Sequence, residues 1–483
     1  MAAVSIVLLL ILLPVLTLIG RTLYFRNSEA KEQSSHNIEF SLSEESIKKL
    51  VKAIQLKTVS FSDRTLIDMN EHRKFNSYLE ENFPLAHKHM EKTALNDFAY
   101  IFKWKGKNSN TKPVLFMAHF DVVPVQTEGW KHSPFSGDIE DGILWGRGTL
   151  DTKNSLVAVM ESAEILLTEG FEPERTIYFA FGGDEEISGI EGAIKTVEFL
   201  KKKGTHFEWV LDEGSIIAKN MVSMTEKPLA LIGVAEKGFA NILLSASGTG
   251  GHASMPPKHT ASGYIARAVT RMEGKPFPTT LSGTVSHFLR SLIPHTGFPA
   301  AVVLSNLWLF KGLIKLIFKK SPATAAMIRT TQAATVMKGS EKDNILPDRA
   351  EAIVNIRIIP GENTKKVLKR VKKIVCNKEV DVRYMDEAFI SDPVPESDIN
   401  GHGYRLIKEA VGAVYPDAVA APFLVTVSTD SRHYREITDN IYRFSPMMLT
   451  PEDLKTIHGV NESISLENFG KMIQFFKVMM RNL

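Results

Sequence analysis

The sequence predicts an α/β protein with a central, mostly parallel sheet that is flanked by helices and interrupted by an inserted α+β lobe. From about residue 46, apolar strand-like runs alternate with stretches of helical period, which is typical of α/β architecture. Between about 236 and 390 the character changes to alternating strands separated by helical stretches. A chain of 483 residues also exceeds what one hydrophobic core usually holds, so a second domain or a large insertion is expected.

The overall composition is that of a globular protein and excludes several classes. The chain is 44% hydrophobic and 23% charged. Its 58 Lys and Arg against 55 Asp and Glu give a net charge of +3, which is too small a bias to indicate a nucleic-acid partner. Cys376 is the single cysteine, which excludes an internal disulfide framework and a cysteine-rich metal site.

The N-terminal segment is strongly apolar. Residues 2–20 are uncharged and mostly aliphatic, and Arg21 and Arg26 follow them. The run approaches the length of a membrane-spanning helix, and it lacks the basic start and the small-residue cleavage site of a typical signal peptide. We therefore expect residues 1–26 to be a signal peptide or a membrane anchor, and the chain to be secreted or, alternatively, anchored in the secretory pathway. Residues 27–45 are polar and are interpreted as a linker.

The elements of the predicted catalytic domain, residues 46–235 and 391–483, follow from its apolar runs. Strands and intervening helices are predicted in the first part: strands at 114–118, 176–181 and 207–211, helices at 155–167 and 189–203. Acidic side chains or a histidine follow each strand in turn: His119, then Asp184, Glu185 and Glu186, then Asp212. Sites in open α/β sheets gather at the carboxyl ends of strands, so these side chains are expected to share one site.

The inserted lobe, residues 236–390, has strands of alternating pattern and a different helix content. Strands are predicted at 240–248, 350–360 and 380–389, and a helix at 263–273. A further helix, 308–320, carries Lys311, Lys315 and Lys319 four residues apart among apolar residues. We interpret it as an amphipathic helix packed on the lobe. The alternative is a surface for lipid or an acyl chain, because basic amphipathic helices also lie on membranes.

The histidines and acids of the chain form a candidate metal site. His119 and Asp121 are two residues apart in a strand-like run and point the same way, and a neighbouring carboxylate fixes the tautomer of a ligating histidine. Taken alone, His119 fits a buried core histidine and Asp151 fits a helix N-cap. Together the chain offers two histidines and three carboxylates: His119, Asp151, Glu186, Asp212 and His458. Such a set suits two divalent cations, zinc best, with manganese or cobalt open.

A series of motifs resembles a known family. MAHFDVVP, GRGTLDTK, DEE, DEG, GHASMPP, DNILP, TDSR and HGVNE occur in this order between about residue 48 and the C-terminus. The set is similar to the di-zinc aminoacylase/carboxypeptidase family of metallopeptidases. The stretches EGWKHSPFSGDIEDGILWGRGTLDTKNS, LSNLWLFKGLI and IYRFSPMMLTPEDLKTIHGVNE most resemble members of the family that act on N-fatty-acyl amino acids.

The resemblance implies two zinc ions and a division of the ligands between them. Asp151 would bridge the ions, with His119 and Asp212 on one of them and Glu186 and His458 on the other. The resemblance further implies a ferredoxin-like lobe that acts as a lid and dimerisation element.

The resemblance also implies the catalytic roles. Asp121 would orient His119, and Glu185 would be the general base for a water that bridges the metals and attacks the amide. His252 would stabilise the oxyanion, often from a partner subunit, which leaves a homodimer open.

Four residues are assigned to substrate binding by position: Asn344, Arg357, Thr429 and Arg432. Arg357 would clamp a free carboxylate, for which a planar fork of donors is suited. Val427 and Ser428 stand where relatives usually have glycines, which puts the shape of the pocket near the substrate carboxylate, and the roles of Thr429 and Arg432, in question.

The leading functional hypothesis is a zinc-dependent amidohydrolase that reversibly hydrolyses and condenses N-fatty-acyl amino acids, with free fatty acids and amino acids as the other reactants. The alternative is a membrane-anchored or secreted carboxypeptidase or dipeptidase of the same family, which would share every metal ligand. A non-enzymatic lipid-binding scaffold is disfavoured, because the ligand set and Glu185 are intact. Binding to a lipid or lipoprotein surface through helix 308–320 could coexist with catalysis.

Overall fold

The computed structural model describes residues 2–30, 41–108, 110–386 and 389–483. The helices, in chain order, are α1 (Ala2–Ala30), α2 (Glu44–Gln55), α3 (Met69–Asn82), α4 (Pro84–His89), α5 (Lys153–Thr168), α6 (Ala193–Lys202), α7 (Ala261–Glu273), α8 (Gly283–Ser291), α9 (Phe298–Ser305), α10 (Leu307–Phe318), α11 (Pro322–Ile328), α12 (Thr364–Val375), α13 (His402–Val414), α14 (Pro451–Leu454) and α15 (Leu466–Arg481). Of the expected linker 27–45, residues 31–40 lie outside the described residues.

The strands of the described residues form one large sheet and three smaller ones. In chain order they are β1 (Glu91–Asn96), β2 (Ala99–Trp104), β3 (Val114–His119), β4 (Ile139–Glu140), β5 (Ile143–Trp145), β6 (Ile177–Gly182), β7 (Trp209–Asp212), β8 (Ile217–Ala218), β9 (Leu229–Glu236), β10 (Gly238–Ser247), β11 (Gly251–His252), β12 (Thr331–Lys338), β13 (Ile345–Leu346), β14 (Arg349–Ile358), β15 (Asp381–Tyr384), β16 (Val419–Val425), β17 (Ile441–Arg443), β18 (Met448–Leu449) and β19 (Ser463–Ser465).

The large sheet confirms the predicted α/β class. Its order is β1-β2-β6-β3-β7-β17-β9-β8-β18, with β16 paired to β9. The central strands β6, β3, β7 and β17 run parallel to one another. All six residues of β3 are buried, as expected for a parallel strand covered on both faces. Phe116 packs towards Phe476 of α15, whereas Leu115 and Met117 pack with Ala193 of α6 on the opposite face.

The second sheet belongs to the predicted inserted lobe. It has four antiparallel strands in the order β12-β14-β10-β15. Helices α7 and α12 cover one face, where Ile265 and Met272 pack with Val367 and Val371. The chain order β10-α7-β12-β14-α12-β15 is that of a ferredoxin-like βαββαβ unit. The strands predicted at 240–248 and 350–360 correspond to β10 and β14. The strand predicted at 380–389 contains β15, and its residues 387 and 388 lie outside the described residues.

Helices α8–α11 interrupt this unit between α7 and β12 and form a separate cluster. Phe288 and Leu304 pack there with Ile314 and Phe318 of α10. The same cluster contains residues of β9 and β16, which are strands of the large sheet. The helix expected at 308–320 is α10. It packs against α9 and α11, which lie within the predicted lobe, and its apolar cluster also includes residues of the large sheet.

Candidate active site

The candidate site lies where the central parallel strands end. Strand β3 ends at His119, β6 ends at Gly182 just before the acidic triplet, and β7 ends at Asp212. Because β6, β3 and β7 are adjacent and parallel, their carboxyl ends meet at one edge of the sheet. His458 reaches the same edge from the loop that follows α14. The placement predicted from the sequence is confirmed for these strand ends.

Asp151 lies between the two histidines. Its Oδ1 is 3.0 Å from Nε2 of His119, and its Oδ2 is 2.9 Å from Nε2 of His458. One carboxylate thus presents one oxygen to each imidazole. This is the arrangement that a carboxylate bridging two cations requires, with one histidine on each ion.

Glu186 completes a second group of ligating atoms. Its Oε1 lies 3.3 Å from Nε2 of His458. That oxygen is buried and accepts no hydrogen bond, which is costly for a carboxylate unless a cation faces it. Two groups of three potential ligands result, one formed by His119, Glu185 and Glu186 and the other by Asp151, Glu186 and His458. The donor set therefore fits divalent cations that prefer imidazole and carboxylate.

Asp121 organises the residues around the cluster. Its Oδ1 is 3.4 Å from Nδ1 of His119. The backbone N–H groups of Glu185 and Glu186 donate to its two carboxylate oxygens, at 3.1 and 3.2 Å, and Ser60 Oγ donates at 2.6 Å. Asp121 is fully buried. It therefore positions the histidine and the acidic triplet together, which is the supporting role expected of a carboxylate behind a metal-binding histidine.

The three consecutive acids have different surroundings. Asp184 is fully buried and accepts from the backbone N–H groups of Glu191 and Gly192, each at 2.8 Å, with Arg64 at 3.2 Å. Burial raises the pKa of Asp184 to about 6, against the opposing effect of these donors. Asp184 is therefore a structural support for the turn and does not line either large cavity described below.

Glu185 faces the cluster without touching it closely. Its Oε2 lies 4.0 Å from Nε2 of His119. Burial raises the pKa of the Glu185 carboxyl well above its usual range, His119 opposes the shift, and the nearby charges of Asp430 and Glu186 add to it. A buried carboxyl that lines a polar cavity beside the candidate metal ligands is placed to transfer a proton to or from a bound substrate.

Asp212 and Glu213 point in different directions because side chains alternate along a strand. Asp212 Oδ2 accepts from the backbone N–H of Ser431 at 2.9 Å. Asp212 also lines a small cavity with His119, Glu185 and Asp430. Glu213 instead lines the large cavity that contains Asp151, Glu186 and His458. The sequence assignment named Asp212 as a metal ligand and did not consider Glu213, the second acid in DEG. The assignment of Asp212 stays a prediction.

Glu462 is a further residue whose role the sequence did not reveal. It is buried and accepts hydrogen bonds from the backbone N–H groups of Leu150 and Asp151, at 2.7 and 3.2 Å. The buried Arg147 pairs with the same carboxylate. Burial raises the pKa of Glu462 to about 7, and the charge of Arg147 opposes the rise. Glu462 therefore holds the loop that carries Asp151 next to the segment that carries His458.

Two large cavities meet at the cluster. One, of about 1110 Å³, contains Asp151 and His458 and is otherwise lined mainly by apolar side chains, including Met224, Phe288, Phe318, Met327 and Phe423. The other, of about 730 Å³, is lined largely by polar side chains, including Asp392, Arg432 and Arg435. Both are lined by Glu185, Glu186, Arg357 and Ser428. The site thus has an apolar side and a polar side with the acidic cluster between them.

Arg357 and Arg432 bring two positive charges to the polar side, whose lining also includes the acids Asp392 and Glu436. Arg357 Nη1 donates to Ser428 Oγ at 3.0 Å, and its guanidinium lies over the ring of Phe239 at 4.7 Å. Burial lowers the pKa of Arg357, Glu236 opposes the shift, and the charge of Arg432 adds to it. Arg432 Nη1 donates to the backbone oxygen of Thr429 at 2.7 Å. Two cations close enough to disfavour each other create a subsite for an anion such as a carboxylate.

Thr429 is placed differently from the sequence assignment. Its side chain is fully buried, donates to Glu236 Oε2 at 3.1 Å and lies 2.6 Å from Ser431 Oγ. It lines neither large cavity. Val427 and Ser428, which replace the usual glycines, do line the cavities, and Ser428 is bonded to Arg357. The departure seen in the sequence therefore falls at the junction of the two cavities.

His252 and Asn344 lie on the lobe, away from the cluster. His252 is exposed and pairs with Ile345 in the two-stranded β11–β13 sheet, and Asn344 precedes that pairing. The Nδ1 atom of His252 is 2.8 Å from Ser254 Oγ. Within the described part of the chain, neither large cavity is lined by His252 or Asn344. One copy of the chain therefore does not bring these two residues together with the metal cluster.

The fold and the cluster define a metal-dependent hydrolase of amide bonds. Residues 115–482 match peptidase family M20/M25/M40, and the chain belongs to this family. Among solved structures, the M20 family metallo-carboxypeptidase Sso-CP2 of Sulfolobus solfataricus has the same fold, with a TM-score of 0.67, 18% identity, and 91% of this chain and 99% of that chain covered. Bacillus subtilis YXEP, a dinuclear metal binding peptidase of the family, gives a TM-score of 0.55 at 14% identity, covering 91% and 99%.

The curated relatives are more similar in sequence. The chain is 38% identical over 477 residues to the human N-fatty-acyl-amino acid synthase/hydrolase PM20D1, covering 98% of this chain and 94% of that protein. It is 36% identical over 443 residues to a carboxypeptidase S-like protein of Dictyostelium discoideum, covering 90% and 84%. The family resemblance seen in the sequence motifs is confirmed.

Proposed function

We propose that the protein is a di-zinc enzyme that hydrolyses and condenses N-fatty-acyl amino acids. The observation that carries the proposal is the pair of cavities that meet at Glu185, one apolar and the other polar with Arg357 and Arg432 in its wall. An N-fatty-acyl amino acid has a matching shape: a long apolar chain, a central amide and a free carboxylate. The apolar volume of about 1110 Å³ is slightly larger than the roughly 300–1,000 Å³ typical of small-molecule sites.

Each part of such a substrate has a binding residue in the proposed pose. The acyl chain occupies the apolar cavity, and Arg357 and Arg432 bind the carboxylate. The amide then lies beside Glu185, at the junction that both cavities share. A dipeptide could bind the same carboxylate subsite, but it would leave the apolar cavity unfilled. The pose therefore favours a fatty-acyl substrate over a peptide.

The catalytic step is assigned to the residues around the cluster. His119, Asp151, Glu186 and His458, with Asp212 or Glu213, would hold two zinc ions. Bound zinc would polarise the amide carbonyl and lower the pKa of water. Glu185 accepts a proton from the attacking water and delivers it to the amine nitrogen as the C–N bond breaks. Asp121 keeps His119 and the backbone of Glu185 in place.

Reversal follows from the same groups. Condensation begins with the free carboxylic acid in the apolar cavity and the amino acid on Arg357. Glu185 removes a proton from the amine, the nitrogen forms the C–N bond to the carboxyl carbon, and Glu185 passes the proton to the carboxyl OH, which leaves as water. Hydrolysis and condensation share a transition state, so residues that stabilise one stabilise the other. The net direction depends on reactant concentrations, with water favouring hydrolysis.

The test is an assay of N-oleoyl-phenylalanine against a dipeptide ending in phenylalanine, with hydrolysis and condensation both measured by mass spectrometry. We expect preference for the oleoyl substrate and measurable condensation from oleate and phenylalanine. The matched control is Glu185→Gln, which should lower turnover by about 10²–10⁴-fold, as removal of a general base does, while zinc content stays at about two per chain. Faster cleavage of the dipeptide would favour the carboxypeptidase alternative and contradict the proposal.

A further inference from the structure

Helix α10 presents apolar side chains to the surface. Within α10, Ile314 and Phe318 are buried. The residues on its outer side, which we name the α10 face, are Trp308, Leu309, Leu313, Leu316 and Ile317. Trp308 is 66% exposed and Leu316 is 60% exposed. Single exposed apolar residues are normal on protein surfaces. A contiguous patch of large apolar side chains instead marks an interaction site.

The charged residues on α9, α10 and the turn that follows are all lysines. Lys311, Lys319 and Lys320 are exposed at this helix. Residues 298–320 contain no aspartate or glutamate. Apolar residues that include a tryptophan, flanked by lysines, are the pattern of helices that lie in a membrane interface, and each lysine there is attracted to anionic headgroups. The charge pattern thus favours an anionic lipid surface.

The N-terminal helix packs beside the same surface. Asn306, which directly precedes α10, donates from Nδ2 to the backbone oxygen of Leu18 at 3.3 Å. Arg21 Nη2 lies 3.5 Å from the backbone oxygen of Ser305, and Thr22 is fully buried. Apolar residues of α1 remain exposed: Leu12, Leu13, Val15, Leu16, Ile19, Leu23 and Tyr24. Two apolar surfaces therefore meet at Asn306, and one belongs to the segment expected to be a signal or anchor.

Hydropathy points to the same region. Within the described part of the chain, no single helix combines the length and hydropathy of a membrane span. The bent pair α9 and α10, with an angle of 111° between them, reaches that hydropathy jointly. A bent apolar pair on the outside of the protein is suited to lie along an interface.

The α10 face adjoins the apolar cavity. Ile317 lines that cavity and is also 48% exposed, so it belongs to both the cavity wall and the outer surface. Phe318, next in sequence, is buried and lines the same cavity. A chain lying in the cavity and a lipid lying on the α10 face would be separated by this one turn of helix.

From these contacts we infer that the α10 face docks on an anionic lipid bilayer, and that acyl chains pass between the bilayer and the apolar cavity beside Ile317. The inference of docking is supported by the exposed apolar residues of α10, by the lysines of the same helix and by the packing of α1 beside it. The passage of acyl chains rests in addition on the proposed function. A chain that moves directly from lipid to cavity avoids the unfavourable exposure of its CH₂ groups to water.

The docking test uses an environment-sensitive fluorophore on a single cysteine in the full-length protein. Cys376→Ser removes the single native thiol, and Leu316→Cys places the label on the α10 face. The matched control is Met337→Cys on β12. Met337 is 58% exposed, which is similar to the 60% exposure of Leu316. Vesicles of phosphatidylcholine with phosphatidylserine should shift the emission to the blue at position 316 and leave position 337 unchanged.

Three results would overturn docking. They are no shift at position 316, an equal shift at both positions, and a shift at 316 that appears without vesicles and rises with protein concentration. The last result would mean that a second copy of the chain covers the α10 face. A shift confined to position 316 in the presence of vesicles supports the inference.

The passage of acyl chains is tested by activity. The double variant Leu309→Ser, Leu316→Ser changes two residues that do not line the cavity. We expect about tenfold slower hydrolysis of N-oleoyl-phenylalanine carried in vesicles, because less apolar surface binds the lipid. Hydrolysis of water-soluble N-hexanoyl-phenylalanine should stay unchanged. Equal rates for wild type and variant on both substrates would overturn the passage. If the wild type hydrolysed neither substrate, the proposed function would be refuted. The fluorescence shift at position 316 would still decide whether the α10 face docks on lipid.

Discussion

At the residue scale, the three consecutive acids after β6 differ in what surrounds them. Asp184 is held by backbone N–H groups and Arg64 and stabilises the turn. Glu186 leaves a buried oxygen without a donor beside His458, which fits a cation. Glu185 lies at the junction of both cavities. The three acids therefore have different positive or donor groups beside them: Arg64 and backbone N–H groups for Asp184, His458 for Glu186, and His119 at 4.0 Å from Glu185.

Metal content separates the two candidates for the last ligand. We expect Glu213→Gln to reduce bound zinc from about two to about one per chain, because Glu213 lies in the cavity with Asp151 and His458. We expect Asp212→Asn to retain about two, because an amide oxygen can still accept from Ser431. Elemental analysis of dialysed protein, with circular dichroism to verify folding, is the measurement. The opposite outcome would assign the ligand to Asp212, as the family resemblance implied.

Site residues could be predicted from the sequence where the local pattern determines which side of a strand a side chain faces. His119 and Asp121 share a run in which alternate residues face one side, and the structure places both at the cluster. The choice between Asp212 and Glu213 depends on how β7 twists as it ends, which no local pattern specifies. Thr429 was assigned to substrate, but its hydroxyl bonds the buried Glu236, a contact between residues 193 positions apart.

At the scale of elements, the connection from β9 to β10 joins the large sheet to the lobe. Lys237 lies in this connection and is buried. Its Nζ donates to the backbone oxygens of Ala326 and Arg329, at 3.1 and 3.0 Å, and to Thr331 Oγ1 at 3.3 Å. One side chain thereby ties the connection to the end of α11 and the start of β12.

Stability should depend on pH through Lys237. Burial lowers its pKa to about 7, and the charges of Arg357 and Arg329 add to the shift. Between pH 7 and the unfolded value of about 10.4 the unfolded chain binds a proton that the folded chain has released. The free energy of unfolding should therefore rise with pH across this window, by at most about 1.4 kcal/mol per pH unit.

Urea unfolding of wild type and Lys237→Met at pH 7 and pH 9 measures this contribution. The variant lacks the titrating group, so its free energy of unfolding should rise less with pH than that of wild type. Thr331→Val serves as the control, since it removes one acceptor and keeps the amine. Parallel pH dependence in wild type and Lys237→Met would contradict the assignment.

The elements themselves were largely predictable, but their packing partners were not. The apolar run before His119 became a fully buried strand, as its composition indicates. The helix at 308–320 was also predicted and found, yet it packs away from the lobe sheet. Periodicity indicates that a helix has an apolar side, whereas the surface that covers this side is decided by distant strands such as β16.

At the scale of the whole molecule, one copy of the chain leaves His252 outside the site. His252 is exposed on β11, and the residues lining both cavities come from elsewhere in the described chain. The family resemblance implied that this histidine often reaches the site from a partner subunit. In a symmetric dimer the lobe of each copy would extend to the cluster of the other.

Mixing two inactive variants tests this arrangement. Glu185→Gln removes the base from its own site, and His252→Ala removes the histidine that its chain lends to the partner. In a mixed dimer one of the two sites has both residues, so random exchange of equal amounts should restore about one quarter of wild-type activity. Each variant alone should remain inactive at the same concentration. Near-normal activity of His252→Ala, or no recovery on mixing under conditions where exchange is demonstrated by mass spectrometry, would mean that each site is complete within one copy.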